Sequence, residues 1–181
     1  MLHKAFFSIL LIGLLFSACM NTDKYNEKVK QLDSLSVLID SAEIKFSSID
    51  TSKIKNYSIE ISQNLRLFEK SNTNTITNET TILLAEYGRC LKCFEEINSE
   101  YSKFKNELTE SKEQLENLTH DLKMDKVEET KAAGFIQEEL IASSNSYQLI
   151  MAVENFYKVN LTKFEALNPK ILVLIKKSIL K

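Results

Sequence analysis

The chain is poor in residues that break or bend a backbone: its 181 residues include 3 glycines, 1 proline and no tryptophan. A many-stranded sheet needs tight turns, and tight turns draw on glycine and proline, so this scarcity excludes a β-sandwich or barrel and predicts an all-α chain. Histidine is scarce too, at 2 residues. No Glu-x-x-His pair occurs, which excludes the carboxylate-bridged di-iron site that some helical bundles carry. There is no basic block, and 23 Lys and Arg nearly balance 25 Asp and Glu for a net charge of −2. Such a chain has no cationic face with which to neutralise phosphates, so nucleic acid is not an expected partner. Nor does any apolar run reach the roughly 20 residues needed to span a bilayer as a helix.

What is present begins at the N-terminus. Lys4 precedes an apolar run at residues 5–16, and Ser17 and Ala18 then lead into Cys19. A charged start, a short apolar stretch and small residues before a cleavage point are the parts of an export signal. The run Phe16, Ser17, Ala18, Cys19 resembles the lipobox of bacterial lipoprotein precursors. That resemblance implies cleavage before Cys19 and lipidation of its thiol, followed by acylation of the new amino group with palmitate-type chains. Several chains at about 0.8 kcal/mol per buried methylene give stable attachment, where one chain is marginal. The implied organisation is a cleaved signal peptide at 1–18, a lipidated tether at 19–24 and a single helical-bundle domain at 25–181. Ordinary secretion with a free Cys19 is the competing expectation. Losing residues 1–18 removes one basic residue, Lys4, and no acidic one, so the net charge becomes −3.

The rest of the chain reads as an antiparallel helical bundle with a long helical hairpin. From Leu83 through Tyr87, Cys90, Phe94, Ile97, Tyr101, Phe104 and Leu108, apolar residues recur at alternating steps of four and three. Ser111, Leu115, Leu118 and Leu122 continue the series. This coiled-coil-like heptad predicts one helix of about 45 residues. Its aromatic first half suits a wide bundle, and its leucine-rich end suits a two-helix pairing that projects beyond the shorter helices. Upstream, Tyr25 to Ile49 and Ile54 to Phe68 each carry a helical stripe, separated by Asp50, Thr51 and Ser52, with an Asp or Thr as cap. Residues 71–78 are Ser, Asn and Thr with little else, and predict a loop. A turn at residues 124–126 leads to a fourth helix with Ile136, Leu140, Tyr147, Ile150, Tyr157, Leu161 and Phe164 inward. Asn168 and Pro169 are expected to end it. Residues 170–181 then form a short basic apolar segment that docks on the bundle or, alternatively, lies on a membrane surface.

Two groups could carry chemistry. Cys90 and Cys93 form a CxxC, but about ten residues inside a helix rather than at the helix N-terminus that lowers a thiol pKa. Zinc would need two further ligands, and His120 lies about 27 residues beyond Cys93, roughly 40 Å along a straight helix. The bland reading is a core cysteine and its neighbour; a disulfide between Cys90 and Cys93 is the sharper one. Asn117, His120 and Asp121 are three and four residues apart, so they share a helix face near the hairpin end. No nucleophile accompanies them, so a possible partner contact outranks catalysis. Glu154 falls on the apolar stripe of the fourth helix and would need a partner there.

The stretch Gln114 to Leu122 is similar to that of uncharacterised small helical-hairpin lipoproteins, a resemblance that implies the fold and no activity. The expectation is therefore a membrane-anchored cell-envelope lipoprotein, held through its N-terminal lipid and facing the periplasm or the cell surface. It would be no enzyme but an interaction or scaffold module with an envelope protein as partner, and no cofactor or metal is expected. Alternatives are a redox-responsive helical protein using the CxxC, and a carrier that opens its bundle for an apolar ligand.

Overall fold

A computed structural model describes residues 24–71 and 76–180. The apolar run and Cys19 lie outside the described residues. Four helices follow in order: α1 (Asn26–Ser47), α2 (Thr51–Ser71), α3 (Asn78–Lys123) and α4 (Glu129–Ile179). No strand occurs among the described residues, and none of their helices is long and apolar enough to cross a membrane.

The long heptad forms as predicted. Every one of its positions from Leu83 to Leu122 is buried or half-buried, with Tyr87, Cys90, Phe94 and Leu115 fully so. Thr77 starts α3 by accepting a hydrogen bond from the Thr80 amide at 3.3 Å, which satisfies one of the amide donors that a helix N-terminus leaves unpaired. Asp50 does the same for α2, its Oδ1 accepting from the Lys53 amide at 3.0 Å.

The contacts fix the register. Asp40, Phe46, Tyr57 and Asn64 meet Lys112, Tyr101, Phe94 and Tyr87 of α3 in turn, so α1 and α2 run antiparallel to α3. Lys45, Tyr57 and Asn64 meet Met151, Phe164 and Asn168, so both run parallel to α4. α1 and α2 each pack on α3 and α4 and not on each other. They lie end to end, as one strand of a three-stranded rod broken at Ser48, Ile49 and Asp50. With 51 residues in α4, the rod is about 75 Å long at ~1.5 Å per residue.

Three expectations change. First, no hairpin end projects, because α1 reaches the α3–α4 turn and covers Leu115 and Leu122, which are at most 1% exposed. The leucine-rich half of α3 is as much a three-helix core as the aromatic half. Second, Asn168 and Pro169 do not end the fourth helix, which runs through Pro169 to Ile179. An interior proline costs about 3 kcal/mol. Ile171 and Ile175 lie beyond it, 0% and 6% exposed, and burying them returns about 1.5–3 kcal/mol each. Residues 170–179 thus dock as the last turns of α4 rather than as a separate segment. Third, Leu140 faces outward at 42% exposure, while the other residues expected on the inner stripe of α4 are buried or half-buried.

Candidate functional site

The α3–α4 turn is built by backbone chemistry. The Asp125 amide donates to the Leu122 carbonyl at 3.1 Å and the Lys126 amide to the Asp121 carbonyl at 2.9 Å, the paired bonds of a Schellman motif. That motif needs a left-handed residue, and Asp125 supplies it at φ 51°, where glycine would be the unstrained choice. The carboxylate compensates: Lys24 Nζ stands 3.0 Å from Asp125 Oδ1. The same ammonium lies 4.7 Å from the centre of the Tyr25 ring, and hydrogen bonding to Tyr25 and then to Asp125 raises the pKa of Lys24. Tyr25 is 3% exposed, and its hydroxyl donates to the Val127 carbonyl at 2.7 Å. Lys24 and Tyr25 thus latch the start of the first strand of the rod onto the turn between the other two. Sequence reasoning placed Tyr25 in the core but missed the latch, since its partners lie about a hundred residues away.

Asn117, His120 and Asp121 stand within two turns of this latch. Asn117 and His120 are exposed and Asp121 is half-buried, so they do share an outward patch. Asp121 Oδ1 accepts from Lys126 Nζ at 3.5 Å, a long bond at a wet surface. Among the described residues no group of three or more His, Cys, Asp and Glu could hold a metal ion.

Cys90 and Cys93 are both free and buried thiols. Burial raises the pKa of each, that of Cys93 to about 12, with the neighbouring Cys90 adding to it. Cys93 Sγ lies 3.9 Å from the Phe156 carbonyl oxygen, to which it donates. Nucleophilic exchange runs through the thiolate, which this site disfavours. The sign is that of a group kept protonated by folding: its contribution is intact below about pH 9 and is lost as pH rises toward about 12.

A buried polar cluster went unread in the sequence. The amide Nδ2 of Asn64 donates to the Tyr87 hydroxyl at 3.0 Å and to Asn168 Oδ1 at 3.2 Å. The Tyr87 hydroxyl itself donates to Asn168 Oδ1 at 2.5 Å, and Asn168 Nδ2 donates to Glu60 Oε1 at 2.7 Å. One layer of the core therefore joins α2, α3 and α4, immediately before Pro169. Glu154, the carboxylate expected on the apolar stripe, is 8% exposed and accepts from Lys158 at 2.7 Å. Two clefts lie between helices and open to solvent. One of about 450 Å³ is lined by Leu83, Pro169, Val173 and Leu174, and another of about 530 Å³ lies between Leu35 and Ile136.

No protein-family model matches this chain, and neither does any curated protein or solved structure to which it was compared.

Proposed function

We propose that the protein is a lipid-anchored component of a bacterial cell envelope, tethered through Cys19, that acts as a non-enzymatic interaction or scaffold module. The observation that carries this reading is the latch of Lys24 and Tyr25 on the α3–α4 turn. Cys19 precedes Lys24 by five residues, a reach of at most about 17 Å for an extended chain. Acylation there would hold the turn end of the rod against the bilayer and leave its far end up to about 75 Å away. Asn117, His120 and Asp121 would then face a partner close to the membrane surface.

The redox reading gains no support from buried, protonated thiols, and the carrier reading none from clefts that open to solvent. The test is fractionation and in-cell crosslinking of full-length protein beside Cys19→Ser. The wild-type protein should partition with membranes and Cys19→Ser should leave them. A membrane partner captured by the wild type should be lost from a variant with Asn117, His120 and Asp121 all changed to Ala. Equal partition of wild type and Cys19→Ser would overturn the anchor, and capture unaffected by the triple change would overturn the patch.

A further inference from the structure

The outer face of α4 carries a second heptad that the core does not use. Ala142, Asn145, Leu149, Ala152, Phe156 and Val159 follow one another at steps of three and four, and all six are exposed. Leu149, Phe156 and Val159 are 39–44% exposed, which for large apolar side chains along one line is an unpartnered seam rather than scattered surface. The seam is also free of charge. Between Glu139 and Lys163 the chain carries two charged residues, Glu154 and Lys158, and they pair with each other at 2.7 Å. Over the whole chain 27% of the residues are charged.

We propose that this seam pairs with the same seam of a second copy, the two rods standing parallel. Charge supports a second copy. The chain is net negative, so two copies repel unless they meet on a neutral face, and this face has nothing to repel. An anionic bilayer would call for unpaired Lys or Arg flanking the apolar residues, and the two nearest, Lys158 and Lys163, are turned toward Glu154 at 2.7 Å and Glu86 at 3.9 Å. Asn145 decides the orientation. In a parallel pair the two Asn145 amides face each other and can hydrogen-bond, as a seam asparagine does when it sets register. In an antiparallel pair centred on Ala152, Asn145 faces Val159 and its amide is left unsatisfied.

Area limits the strength. The seam from residue 142 to 159 is about 27 Å long and one helix wide, less than a stable interface of more than roughly 1,000 Å² requires by itself. The pair therefore forms where copies are concentrated and aligned, which a shared bilayer does by raising effective concentration; this part rests on the lipid-anchor reading.

The experiment is disulfide trapping in native membranes with full-length Asn145→Cys and, separately, Ala152→Cys. Glu113→Cys on the exposed face of α3 serves as the collision control. A parallel pair brings each seam cysteine within disulfide reach of its own copy. Each seam variant should give a band at twice the monomer mass, at least tenfold stronger than the control, and adding Phe156→Glu should remove it. Phe156→Glu changes an exposed side chain, and unchanged helical circular dichroism establishes that its fold is intact. Adding Cys19→Ser should weaken trapping tenfold or more. If fractionation shows that Cys19→Ser stays in membranes, the anchor fails while the trapped band still reports pairing. Trapping only between co-expressed Asn145→Cys and Val159→Cys chains would overturn the parallel arrangement. A band of any other mass, or none above the control, would overturn self-pairing.

Discussion

α3 and α4 are nearly equal in length, 46 and 51 residues, and both run the length of the rod, yet their outer faces differ. α3 leaves one large hydrophobic residue well exposed, Ile82 in its first turns, whereas α4 exposes Phe135, Leu140, Ile141, Leu149, Phe156 and Val159 before its last turns expose more. Both helices face the same core and bury a comparable stripe against it. The difference is therefore surplus: α3 spends its apolar residues on the core, and α4 carries more than one stripe can bury. A helix apolar on one side needs the two strands it touches here, and a helix apolar on two sides is suited to a third neighbour.

The sharpest way to test that contrast is to truncate one phenylalanine on each helix. Phe94→Ala, which empties a core site 0% exposed and surrounded by Tyr57, Tyr157 and Phe164, should cost about 3–5 kcal/mol. Phe156→Ala, from a side chain 44% exposed, should stay within about 1 kcal/mol of wild type in untethered monomer. Urea unfolding followed by circular dichroism reads both, and equal losses would erase the distinction between inner and outer faces.

A smaller effect separates two ways α3 holds its neighbours. Tyr87→Phe removes the hydroxyl that bridges Asn64 and Asn168 and should cost about 1–3 kcal/mol, with little change in volume. Lys112→Ala removes the ion pairs to Asp40 and Glu43, at 2.7 and 3.5 Å, from a side chain 42% exposed. It should cost clearly less than Tyr87→Phe, and less still in high salt. A Lys112 variant as unstable as Tyr87→Phe would mean that surface pairing, not the buried amide layer, aligns the strands.

How much was readable follows the same contrast. The α3 heptad was plain because its apolar residues obey one period and occupy one face, so hydrophobicity and position say the same thing. In α4 two stripes overlap, and the sequence reading kept the inner one and assigned Leu140 to it. Asn64 and Asn168 carried no signal, since a polar residue reads as surface until other helices supply its partners. Cys90 was legible as core from its heptad position, and its burial is what that position implied.

The sequence by itself determined that this chain is helical, where three of its connections fall and which face of α3 is buried, because turn chemistry and periodicity are local properties of the chain. Tertiary structure alone decided that α1 and α2 stack end to end into one strand, that Lys24 and Tyr25 close onto the α3–α4 turn, and that α4 continues through Pro169. Each of these depends on atoms brought together from about a hundred residues apart, or on burial beyond the proline outweighing a local penalty.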